Sequence, residues 1–151
     1  MATVVGGLRR LGREALEEGG ERVVRRADDA AAFRGIASSG TRKLTGETEA
    51  YLGVTKPPGS VTHHLVPKGA YVNRRAKEQL HRAQATLRRH GIGPDDGPNG
   101  AFLDPKAHGP IHTNKYFREL DKRLSRARDP KRAREILDDI REEVQNGRFP
   151  H

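Results

Sequence analysis

Residues 61–67 read Val61-Thr62-His63-His64-Leu65-Val66-Pro67. The run is short, β-branched and apolar at both ends, and Pro67, which cannot donate to a ladder, stops it. It reads as a strand that carries two adjacent histidines. Just before it, Lys56-Pro57-Pro58-Gly59-Ser60 is a cluster of breakers and marks a boundary. Downstream, Tyr71 to His90 predicts a helix with Val72, Ala76, Leu80, Ala83 and Leu87 on one face, and Gly91 at the left-handed position after it. Gly93 to Gly97 is rich in turn residues. Asn99-Gly100 then leads into a second short strand, Ala101-Phe102-Leu103, ended by Asp104-Pro105. Ile111 to Ala127 predicts another helix with Phe117, Leu120, Leu124 and Ala127 inward, and Pro110 is tolerable in its first turn. Asp129-Pro130 is a cap-and-proline start for the last helix, whose apolar face is Ala133, Ile136, Leu137, Ile140 and Val144 before the stop at Gly147. Upstream, residues 1–45 predict one or two polar helices. Their stripes are Leu8, Leu11, Ala15 and Leu16, then Val23, Val24, Ala27, Ala30, Ala31 and Phe33, separated by Gly19-Gly20. The expected class is α+β, mostly helical, with a helical lead-in or linker over 1–55 and a working unit over 60–151.

Composition narrows the function classes. The chain has 151 residues, the size of one domain with a short appendage. Hydrophobic residues make up 33% and charged ones 32%, and with 4 Phe, 3 Tyr and no Trp the core must be modest. The absence of cysteine excludes a disulfide scaffold, an iron–sulfur cluster, thiol catalysis and any Cys-based zinc site. No stretch approaches the roughly 18–20 apolar residues of a membrane span. The start, MATVVGGLRRLG, has no secretory-type apolar run, so no signal peptide is expected.

Lys and Arg number 29 against 20 Asp and Glu, a net charge of +9 that points to an anionic partner, nucleic acid first and a membrane surface second. The charge is local. Residues 1–56 are net +2 and residues 57–151 net +7. Lys68 to Arg89 holds 7 basic residues against Glu78, and Lys115 to Arg134 holds 9 against Glu119, Asp121 and Asp129. Lys68, Arg74, Arg75 and Lys77 on one segment, and Lys115, Arg118, Lys122 and Arg126 on another, are the candidates to contact backbone phosphates. Arg118, Lys122 and Arg126 recur every four residues and form one stripe. The last helix reverses the sign with Glu135, Asp138, Asp139, Glu142 and Glu143, and reads as a solvated face before an interaction face.

Seven histidines occur, four of them in two segments. His63-His64 closes the first strand, and His108 and His112 stand four apart at the mouth of the third helix. An i,i+4 pair at a helix start puts both rings on one face, a two-point clamp for a metal. A third ligand from the strand would leave an open coordination position, as a catalytic ion needs. Neighbouring strand residues point to opposite faces, so His63 and His64 reach one site only if the strand twists or ends there. His81 and His90 fall among arginines and read as solvated or phosphate-facing.

Taken in order, THHLVP (62–67), NGAFLD (99–104) and HGPIHTNKYF (108–117) resemble the AHH branch of the HNH-like ββα-metal nucleases. The resemblance covers roughly residues 60–128. It implies a ββα-metal (His-Me finger) core, two strands and a helix around an ion, with the helix 71–90 as an insertion between the strands and a further helix at the C-terminus. It implies His63, His108 and His112 as ligands of one divalent ion (magnesium, manganese, zinc or nickel), His64 as the general base, and Asn99 as the brace of the loop that orients it. Thr62 stands where the family name expects Ala, and Asp104 is more acidic than expected for that strand end. The implied activity is a metal-dependent endonuclease cutting DNA, or RNA, with little sequence preference.

The resemblance further implies a bacterial polymorphic-toxin warhead delivered by a specialised system within a larger protein to act in the target-cell cytoplasm, with a cognate immunity protein. Two other readings stay open: a non-catalytic nucleic-acid-binding module on the same scaffold, and a metal-free ribonuclease using two histidines. His108-Gly-Pro-Ile-His112 lacks the Glu of a zinc-protease helix.

Overall fold

The computed structural model describes residues 39–69, 75–106 and 111–151. In chain order these form helix α1 (Ser39–Leu52), strand β1 (Val61–His64), helix α2 (Lys77–Arg89), strand β2 (Gly100–Leu103), helix α3 (Asn114–Leu124) and helix α4 (Pro130–Gln145). A 3-10 turn, Gly97–Asn99, leads into β2. The class is α+β, with α2 inserted between two antiparallel strands. The apolar stripes expected before residue 39 lie outside the described residues.

The strands pair Val61 with Leu103, Thr62 with Phe102, His63 with Ala101 and His64 with Gly100. Alternation gives this small sheet two unlike faces. Val61, Ala101 and Leu103 join the main core with Leu80, Phe117, Leu137 and their neighbours, so His63 takes that face. Thr62 and His64 take the other, where Thr62 Oγ1 lies 2.7 Å from Thr45 Oγ1 of α1. Helix α1 precedes the proline break, yet it packs against both strands. Its contact side is Leu44 and Thr48, both fully buried. Gly100 permits this approach, since a methyl on its Cα would overlap the Thr48 hydroxyl.

Three boundaries differ from the sequence expectation. Strand β1 ends at His64 and does not run to Val66, because Leu65 N donates to the Asn99 carbonyl at 2.8 Å and Val66 N to Asn99 Oδ1 at 2.8 Å. The ladder gives way to a side chain. Helix α2 spans Lys77–Arg89, and Val72, expected on its inner face, lies outside the described residues. Its end is as read: Gly91 takes φ 70° and Ile92, 2% exposed, donates to Leu87 O.

Helix α3 starts at Asn114, not Ile111. Thr113 is extended and its Oγ1 accepts from Tyr116 N at 3.2 Å, so the threonine caps the helix. His112 therefore precedes the helix and is not placed by helical i,i+4 spacing. Helix α4 begins as expected, with Asp129 Oδ1 accepting from Arg132 N at 2.7 Å and Pro130 in the first turn. Its carboxylates are not simply solvated: Glu143 pairs with Arg123 at 2.7 Å, Glu135 with Arg132 at 3.0 Å and Glu142 with Arg148 at 3.4 Å. Asp104, unexplained by sequence, accepts from Lys106 N at 2.8 Å and turns the chain out of β2.

The core layer between α2, α3 and α4 includes Leu80, Tyr116, Phe117, Leu120, Leu124, Leu137 and Ile140, all 0% exposed. Each such side chain contributes about 1.5–3 kcal/mol by leaving water. After Gly147 (φ 67°) the tail folds back, and buried Phe149 packs its ring 4.9 Å from Tyr116 with the Arg123 guanidinium 5.0 Å above it. This layer is what holds the start of α3 against the end of β1.

Candidate active site

His63, from β1, and His112, from the segment leading into α3, face one another with ring centroids 6.3 Å apart, edge to face at 68°. His112 is 4% exposed, its ring stacked on Phe117 at 6.1 Å and edge-on to Tyr116 at 5.2 Å. Tyr116 is itself fixed, since its hydroxyl donates to Leu65 O at 2.7 Å. His112 Nε2 lies 3.2 Å from the His64 carbonyl oxygen. A carbonyl can only accept, so Nε2 carries the proton and Nδ1 keeps the lone pair that a metal would use.

The next residue turns the other way. His64 Nε2 donates to Asp95 Oδ1 at 2.7 Å, and Asp95 also faces Lys68 Nζ at 3.5 Å. The His64 and Asp95 side chains are 18% and 19% exposed, so solvent reaches both. Burial pushes the Asp95 carboxyl up, but the hydrogen bond from His64 and the positive charge of Lys68 outweigh it and hold the group below the ordinary aspartate value of 3.8.

Asn99 is the stitch between these segments. Fully buried, its Nδ2 donates to Val66 O at 2.9 Å and to Pro94 O at 2.8 Å, while its Oδ1 accepts from Val66 N. It thereby ties the residue two after His64 to the residue just before Asp95. Arg141 of α4 supports the same turn from below. Its Nε donates to Gly100 O at 2.7 Å, its Nη2 to Pro98 O at 2.7 Å, and its Nη1 pairs with Asp138.

The structure thus brings His63, His64, Asn99 and His112 to one end of the sheet. His108 and Arg74 lie outside the described residues. Lys68, Arg75, Lys77, Lys115, Arg118, Lys122 and Arg126 are all exposed. Lys68 is committed in part to Asp95, and Lys122 lies 3.9 Å from Glu119. His90, read as solvated or phosphate-facing, instead donates to Ala127 O at 3.2 Å.

Two residues of the site escaped the sequence reading. Asp95 is one of two neighbouring aspartates in a turn, far in sequence from His64. Arg141 reads as the lone cation among the carboxylates of residues 135–143. Only the fold assigns them partners.

Among the described residues no group of three or more His, Cys, Asp or Glu is placed to hold an ion. The described donors are the two imidazoles of His63 and His112. Neutral imidazole nitrogens, one with its second nitrogen already tied to a carbonyl, suit a divalent transition ion. They are two of the three or four ligands that such an ion takes.

No curated protein and no solved structure matches the chain. A family model does: it describes a nuclease family of the HNH/ENDO VII superfamily with conserved AHH, and it matches residues 45–146. That span takes in most of α1, both strands, the three remaining helices and every histidine of the site. The chain belongs to the AHH nuclease family of the HNH/ENDO VII superfamily.

Proposed function

We propose that this chain is a metal-dependent endonuclease that hydrolyses phosphodiester bonds in DNA with little sequence preference. The observation that carries the reading is the facing pair His63 and His112 directly beside His64, a third imidazole turned to a different partner. Within a nuclease family, that arrangement separates ligand histidines from a base. His63, His108 and His112 would hold one divalent ion. When bound, the ion would neutralise charge on the scissile phosphate and on the departing oxygen.

The chain's own groups supply the rest. Neutral His64, whose ordinary pKa of about 6.5 suits the task, takes the proton from the attacking water. Asn99 holds the segment after His64 in place. Exposed Arg118, Lys122 and Arg126 neutralise backbone phosphates without reading bases. Such binding weakens steeply with salt. The toxin role, delivery within a larger protein and an acidic immunity partner are proposed on the family resemblance and on the +9 charge.

Plasmid cleavage by the wild type and His64→Ala, each with magnesium, manganese, zinc or nickel and each with chelator, tests the reading. Cleavage that chelator stops and His64→Ala abolishes, with metal binding retained, is the expected result. Equal cleavage by His64→Ala removes His64 as the base. Chelator-insensitive cutting confined to RNA favours a metal-free ribonuclease. Salt-sensitive binding without any cleavage favours a non-catalytic module.

A further inference from the structure

We infer that Asp95 is the positioning residue for His64: its carboxylate fixes which ring nitrogen carries the proton and which way the imidazole faces. This rests on His64 being the base, and deepens that reading. The turn after Gly93 carries two adjacent aspartates. Asp96 does the local work, its Oδ2 accepting from Gly93 N at 2.6 Å and its carbonyl from Asn99 N at 2.9 Å. Asp95 accepts from no backbone N–H of the turn. Its partners are the His64 ring at 2.7 Å and the Lys68 ammonium at 3.5 Å, both from the end of β1 and the segment after it.

An ionised carboxylate can only accept, so the hydrogen bond requires the proton on His64 Nε2. The lone pair of the neutral ring is then on Nδ1, the nitrogen that takes a proton from water. Lys68 balances the charge of Asp95, which keeps the carboxylate ionised beside a neutral ring. The geometry of the pair is fixed from both ends by Asn99, which ties Val66 to Pro94. A carboxylate that holds an imidazole in one tautomer is a known route to an oriented base.

The test uses the whole chain, metal-free and nitrogen-15 labelled, with His64→Gln to assign the ring signals. The expected result is a slowly exchanging downfield ring proton on His64 Nε2, lost in Asp95→Ala and regained in part in Asp95→Glu. With plasmid DNA and the activating ion, kcat of Asp95→Ala should fall roughly 10- to 100-fold, the usual cost of losing a group that orients a functional imidazole, with KM unchanged. A wild-type ring protonated on Nδ1, or a ring proton indifferent to Asp95→Ala, overturns the inference. So does an unchanged kcat. If the chain cuts nothing, the nuclease reading fails, while the ring proton still decides the pair.

Discussion

Asn99→Ala should cost the domain about 3 kcal/mol. The side chain is fully buried and makes three hydrogen bonds, at 2.8, 2.9 and 2.8 Å, to the Val66 N–H, the Val66 carbonyl and the Pro94 carbonyl. Each bond contributes about 0.5–1.5 kcal/mol net, and truncation leaves all three backbone groups without their partner in a segment where Val66 is 1% exposed. For a domain of this size the loss corresponds to a melting point lower by roughly 10 °C. Urea unfolding followed by circular dichroism measures it directly, with the slope unchanged if the native fold persists. Asn99→Asp is a sharper variant. It keeps the acceptor for Val66 N–H but turns a charged oxygen toward two carbonyls, so it should be at least as destabilising. Cleavage should fall with both, since the segments carrying His64 and Asp95 lose their tie. A midpoint within about 1 kcal/mol of wild type for Asn99→Ala would refute the assignment of Asn99 as the stitch.

Thr113→Ala removes the α3 cap and should lower stability by about 1 kcal/mol in the same assay; an unchanged midpoint would mean that the helix start is held by packing alone. Adding an activating divalent ion at about a hundredfold its Kd should stabilise the wild type by about 2.7 kcal/mol, and His63→Ala should abolish that shift in a thermal melt; a full shift in the variant removes His63 from the ligand set. Asp95 and Glu143 are both held below their ordinary values of 3.8 and 4.5, Asp95 by His64 and Lys68 against the opposing effect of burial, and Glu143 chiefly by its hydrogen bonds from Arg123. A carboxyl lowered in the fold stabilises it fully above its unfolded value, and that contribution is lost as pH falls through the folded value. Stability should therefore be flat near about pH 6 and decline below about pH 4. A midpoint unaffected by acid down to about pH 3 would contradict these pairs.

The order of elements was legible in the chain because its punctuation is strong. Asp129-Pro130 and Gly147 bound α4 at the residues expected, and Gly91 ends α2 where a left-handed residue is needed. The motif residues His63, His64, Asn99 and His112 could be picked out because THHLVP, NGAFLD and HGPIHTNKYF occur in that order and together resemble the AHH pattern, although each signal alone is weak. Helix α1 was harder: its inner side is Leu44 and Thr48, too thin a stripe to announce a helix that packs on the sheet. The start of α3 was misplaced because Thr113 competes with Pro110 for the first turn, and only the hydrogen bond to Tyr116 N decides between them.

The sequence by itself determined that this is a basic, cysteine-free α+β chain with a paired-histidine strand, an Asn-led second strand and a histidine pair at the mouth of the third helix. Those are properties of local spacing and side-chain chemistry. Tertiary structure decided the division of labour. Strand alternation sends His63 toward His112 and His64 toward Asp95, and Asn99 clamps the two segments by bonds that span more than thirty residues. Asp95 and Arg141 acquire roles only there, because a carboxylate or guanidinium gains its meaning from the group that folding places within about 3 Å of it.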